Sequence, residues 1–165
     1  MRLRPVSADE LEPWVRPWGA SEPRFRPTTD ARLIALRHSV FEDALAAIKP
    51  GRPVKVATYV FADRGVDADA LHDRLAEHAR DRGWTVHRER FTDQPPTLGQ
   101  PNARPQFNLA CRHAASGFVD GVLATSRGAM PSTEAYESYL NWLHRHHAFI
   151  AFLQPTIGGA TWTDR

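Results

Sequence analysis

Residues 54–91, VKVATYVFADRGVDADALHDRLAEHARDRGWTVHRERF, hold two strand patterns around one helix pattern. Residues 54–61 (VKVATYVF) are mostly apolar, with β-branched and aromatic side chains, the composition of a strand buried on both faces. Asp67 or Asp69 stands where it can cap a helix that runs through Arg82 and stops at Gly83. Residues 84–91 (WTVHRERF) then alternate in polarity, as a half-exposed strand does. Two strands joined through a single helix call for parallel pairing with a right-handed crossover.

The same alternation continues toward the C-terminus. Residues 92–103 form a loop with three prolines and a glycine. Residues 104–116 predict a helix ended by Gly117, and residues 119–124 a short strand of buried type. After a loop at 125–132, residues 133–146 predict a helix and residues 148–153 (AFIAFL) a last strand. The expected fold is α/β: a Rossmann-like three-layer sandwich on a mainly parallel sheet of roughly four strands.

Toward the N-terminus, Leu33, Leu36, Val40, Phe41, Ala44, Leu45 and Ile48 recur at helical spacing. Asp30 is the expected cap of this helix, which runs to about Lys49 before Pro50-Gly51-Arg52-Pro53 stops it. Residues 1–29 read as an arm, because Pro5, Pro13, Pro17, Pro23 and Pro27 disfavour helix. Its Trp14, Trp18 and Phe25 are too apolar for a solvated tail; they suit packing across the body or anchoring on another subunit. The expected division is an arm at 1–29, a helix at 30–50, an α/β domain at 54–154 and a short tail at 155–165.

Composition narrows the function classes. The chain has 165 residues, 42% hydrophobic and 24% charged, with a mean hydropathy of −0.47. It has no apolar run long enough for a membrane helix and no signal-peptide core, so a cytoplasmic, non-membrane protein is expected. Cys111 is the single cysteine, which excludes an internal disulfide and any multi-cysteine metal centre. It sits among alanines in a predicted helix and reads as a small core residue. Net charge is only +2, which implies no general affinity for polyanions. Of the 21 basic residues only Lys49 and Lys55 are lysines, and arginine suits bidentate phosphate contacts.

The order of motifs across residues 54–154 resembles the catalytic domain of the serine recombinases, the resolvases and invertases. Tyr59 stands in the first strand as in that family's tyrosine-x-arginine-x-serine strand. The helix at 68–82 and the following Gly83-Trp84-Thr85-Val86 are similar to its first helix and second strand. Phe91, Asp93, Gly99, Arg104 and Pro105 resemble its next segment, and residues 120–124 (DGVLA) resemble the strand before its aspartate-arginine-leucine-glycine-arginine-serine loop. Trp142, Leu143 and the strand 149–153 resemble the end of its core.

The resemblance implies a fold but not the family's chemistry. Strand exchange needs a serine nucleophile and arginines that stabilise charge on the phosphoryl oxygens. Aligned on Tyr59, the family's first active-site arginine falls on Phe61 and its serine on Asp63. Aligned on Ser132, its two loop arginines fall on Gly128 and Pro131. Arg104 alone keeps a matching arginine, and Arg127 lies one residue out of register. A carboxylate at the nucleophile position repels a DNA phosphate at close range. Ser126 and Ser132 are alternative hydroxyls without a sequence partner. Arg104 and Arg127 are therefore the candidate phosphate-binding residues, and no catalytic residue is assigned.

Other constellations read more simply. His144, His146 and His147 close a helix; a metal or a favourable helix dipole would each suit them, and no acid or cysteine at ligand spacing supports a metal. Asp63, Asp67 and Asp69 suit turn and cap chemistry, or a rebuilt anionic-substrate crevice with Arg104 and Arg127. Arginines 74, 80, 82, 88 and 90 are interleaved with acids, as on a solvated face. No glycine-rich nucleotide loop occurs. The expectation is a catalytically degenerate recombinase-like module that associates with DNA or protein, without metal or cofactor. The alternatives are a rebuilt enzyme for a small anionic substrate and a homo-oligomeric structural subunit docking through residues 1–50.

Overall fold

Four strands pair in parallel in the order β2-β1-β3-β4, in a computed structural model that describes residues 28–95 and 103–153. In chain order the elements are α1 (Thr29–Ala47), β1 (Lys55–Phe61), α2 (Ala68–Asp81), β2 (Thr85–Asp93), α3 (Pro105–Ala115), β3 (Gly121–Ala124), α4 (Thr133–Arg145) and β4 (Phe149–Phe152). A short 3₁₀ turn, Arg127–Ala129, lies between β3 and α4. The sheet is wholly parallel, a stricter arrangement than the expected mainly parallel one.

Side-chain alternation assigns the layers. On β1, Ala57 and Tyr59 face one way and pack with Phe107, Ala110, Cys111 and Ala114 of α3 and with Leu140 and Leu143 of α4. Val56 and Val60 face the other way and pack with Leu75 and Ala79 of α2 and with Val40, Phe41 and Ala44 of α1. Helices thus cover both faces, and β1, β3 and β4 are buried almost throughout. The crossover through α2 leads from β1 to one side, and the crossover through α3 leads back past β1 to the other. Right-handed crossovers in opposite directions place their helices on opposite faces, as observed.

The two edges are built differently. β2 is an edge strand with three consecutive charged residues, Arg88, Glu89 and Arg90, a pattern that discourages pairing with another chain. β4, the other edge, is buried at every position. α1 explains this. It meets α4 around the β4 edge, through a bidentate ion pair of Arg32 with Glu137 and a contact of 2.6 Å between His144 Nε2 and Asp43. The segment at 50–53 separates α1 from β1 in sequence, yet α1 contributes to both core clusters.

One helix start departs from its expected cap. Thr28, not Asp30, caps α1: its hydroxyl accepts from Ala31 N at 3.2 Å. Asp67 caps α2 as one of the two expected residues, accepting from Ala70 N at 3.1 Å. At α3 the preceding residue, Arg104, has no capping side chain. Asp93, the last residue of β2, reaches across instead and accepts from Gln106 N at 3.1 Å and Phe107 N at 2.9 Å. β2 ends two residues later than expected, at Asp93, and starts one residue later, at Thr85.

Candidate functional site

Strand order reverses between β1 and β3, and in open α/β sheets the crevice outside the C-terminal strand ends at such a point is where ligands bind. The turn after β1, the start of α3 and the turn after β3 border it. These segments carry Asp63, Arg104 and Arg127 respectively.

The arginines are held by aromatic rings. Arg104, at the N-cap of α3, lies 4.0 Å above the ring of Phe61, the last residue of β1, and donates to the carbonyl of Ala103 at 3.3 Å. Arg127 lies 4.2 Å above Tyr136 and donates to the carbonyl of Pro131 at 3.4 Å and the hydroxyl of Thr133 at 3.3 Å. A third arginine joins them. Arg37 of α1 is buried and lies 5.1 Å above the ring of Phe152, the last residue of β4. Each contact places a guanidinium carbon over an aromatic face, a cation–π arrangement that holds the side chain near the strand ends.

Arg37 and Arg127 line one pocket of about 160 Å³ with Asp30, Leu33, Tyr136 and Phe152. Burial pushes the Tyr136 hydroxyl up to about 12, while the two arginines pull it in the opposite direction. The phenol is therefore neutral, and the charged groups that line the pocket are the two guanidiniums and the Asp30 carboxylate. Burial also lowers the Arg37 guanidinium from its usual range. Nothing in the sequence distinguishes Arg37 from the other charged residues of its helix.

Below the rim lies a buried polar network. Tyr59 donates to Asp93 at 3.0 Å, and Asp93 also takes the two backbone donors of α3. Burial, followed by the neighbouring Asp93, raises the Tyr59 phenol far above its ordinary range. Asp93 therefore fixes the start of α3, and with it Arg104, relative to the end of β2. No protein-family model matches this chain, and no curated protein matches it significantly.

The remaining sequence candidates separate. Asp63 is exposed, and among the described residues its side chain makes no hydrogen bond or ion pair; only its carbonyl is used, by Val66 N at 3.1 Å. It is not gathered with Arg127 in the pocket. Ser132 caps α4, accepting from Ala135 N at 3.3 Å, and Ser126 opens the 3₁₀ turn. Cys111 is fully buried, and burial raises its thiol well above its usual range. Arg90 bonds Asp73 at 2.5 Å, in keeping with the interleaved charges. Trp14, Trp18 and Phe25 lie outside the described residues. No helix among the described residues is long and apolar enough to cross a membrane.

Proposed function

We propose that this domain is a recombinase-like module that works by binding a phosphate-bearing partner, duplex DNA foremost, and performs no strand exchange. The observation that carries this reading is the set of three guanidiniums, Arg37, Arg104 and Arg127, each laid on an aromatic ring at the C-terminal end of the sheet. The exposed Asp63 at the nucleophile-equivalent position speaks for binding over catalysis, because it offers a carboxylate where transfer would require a hydroxyl.

The test is a titration of a fluorescent mixed-sequence duplex by anisotropy, at low and at physiological salt. Saturable binding that weakens steeply with salt is expected, with counterion release as its cause. Arg104→Ala and Arg127→Ala are each expected to weaken it by about tenfold, the range of a charge-assisted contact. Absence of binding at low salt would remove DNA as the direct partner.

A second reading has its own support. The pocket of about 160 Å³ between Arg37 and Arg127 is large enough for a phosphate group and favours a small phosphorylated ligand. Under that reading inorganic phosphate raises the melting temperature of the wild type and not of Arg127→Ala, and the duplex has no effect. For the alternative of subunit docking through residues 1–50, the apolar face of α1 is already covered by its own sheet and by α4, so such docking would fall to residues 1–27.

A further inference from the structure

On the α3 side of β2, away from the arginine rim, two imidazoles and a carboxylate converge. His87 and Glu89 are alternate residues of β2, and His113 comes from the last turn of α3. One ligand atom from each of the three lies within 4.8 Å of the other two. His113 Nε2 is 3.8 Å from a Glu89 carboxylate oxygen, and the two imidazole ring centres are 5.7 Å apart.

Three independent features suit this cluster to a metal ion. The first is tautomer. His113 Nδ1 lies 2.9 Å from the carbonyl of Leu109, which can only accept, so Nδ1 carries the proton. The Nε2 lone pair is left facing Glu89 and His87. A ring N–H given to a backbone carbonyl is the usual way a ligating histidine is oriented. The second is His87, whose Nε2 is buried and has no hydrogen-bond partner among the described residues. A buried ring nitrogen without a partner is costly, and an ion would satisfy it.

The third is the strand itself. Val56 pairs with Val86, but Thr58 pairs with Arg90, so residues 87–89 face Ala57 alone. Extra residues in a strand bend it locally and re-aim its side chains. Here the irregularity covers the stretch that turns His87 and Glu89 toward α3. The rings of Phe91 and Phe118, 5.2 and 5.7 Å from His113, enclose the imidazole on two sides.

We propose that His87, Glu89 and His113 bind a first-row divalent transition ion, zinc foremost. Imidazole and carboxylate together suit zinc, and three protein ligands leave one position of a tetrahedral site to water. Ligand atoms about 2.0–2.1 Å from zinc stand roughly 3.3 Å apart in a tetrahedron. Two of the ligands come from β2 and one from α3, so the ion would also tie an edge strand to the helix above it.

The experiment is a calorimetric titration of the full chain, stripped with chelator, using zinc chloride. One equivalent per chain is expected. Glu89→Gln should weaken binding at least about tenfold, and His87→Ala or His113→Ala by about a hundredfold or more. Glu89 is exposed, so its variant reads the site even if a histidine variant fails to fold. Cobalt in place of zinc should give a visible absorption band that Glu89→Gln alters. The paired variant His144→Ala and His147→Ala should bind zinc as the wild type does. Absence of stoichiometric zinc uptake, or uptake that is unchanged in Glu89→Gln and lost with His144 and His147, would overturn the assignment.

Discussion

The two ends of the sheet use arginine in opposite ways. At the N-terminal end, Arg52 forms a two-pronged contact with Asp120, at 2.7 and 3.2 Å, and the same carboxylate accepts from Lys55 N at 2.8 Å. This clasp joins the segment before β1 to the start of β3. At the C-terminal end, Arg37, Arg104 and Arg127 lie on the rings of Phe152, Phe61 and Tyr136. A carboxylate partner occupies the Arg52 fork at one end, whereas at the other each guanidinium sits over a ring, with Arg127 also donating to Pro131 and Thr133. One end is a closure between segments; the other gathers the guanidiniums on which the proposed phosphate binding rests.

The largest test of this contrast is Asp93→Ala. It removes one acceptor from Tyr59 and from two amides of α3, so three buried or part-buried donors lose a partner together. Each such loss costs about 1–3 kcal/mol. A stability loss of about 3 kcal/mol or more is expected by urea denaturation, together with weaker ligand binding as Arg104 loses its footing. If binding were unchanged, the network would serve the fold alone.

Next comes pH. His72 is buried and lies 2.8 Å from the hydroxyls of both Thr58 and Thr92. Burial, with Arg90 nearby, lowers its pKa to about 4. Below about 6.5 the unfolded chain binds the proton and the folded chain resists it, so stability falls as pH drops from about 6.5 to about 4. A decline on the order of 3 kcal/mol is expected across that window. His72→Gln should flatten it, since the amide keeps hydrogen-bonding capacity without titrating; an unaltered slope would place the sensitivity elsewhere.

Gly121→Ala probes the closed end. A methyl group there would come within 2.5–2.6 Å of the Phe149 ring, which is itself fully buried. Overpacking of this kind costs about 1–3 kcal/mol, read as a lower urea midpoint with unchanged ligand affinity. The smallest effect separates the ends most sharply. Arg52→Ala should lower the melting temperature and leave ligand binding intact, while Arg127→Ala should do the reverse. Equal effects of the two on binding would erase the distinction.

Local pattern made the strands and helices legible. The runs at 54–61 and 148–153 are strands because they are apolar and short, and Gly83 and Gly117 end helices in the left-handed conformation that glycine tolerates. The strand order was not written locally, nor was the cap of α3. Asp93 serves that cap from 13 residues before Gln106, and nothing near Arg104 announces it. The candidate site was legible in part. Arg104 and Arg127 were visible as arginines beside strand ends, but the rings beneath them were not. Arg37 reaches the rim only because α1 folds around the β4 edge. His87 and Glu89 carried one readable signal, alternation in a strand. Their third partner becomes a neighbour only when α3 packs on β2.

The single thiol has a further use. Cys111 lies wholly inside the layer between α3 and the sheet, and its reactivity is suppressed by burial. Any reagent that modifies it must wait until that layer parts. The rate of its alkylation therefore clocks how often the chain opens under native conditions, without a label or a mutation. A ligand seated on the rim, or an ion tying β2 to α3, would slow that clock in proportion to how firmly it holds the layers shut.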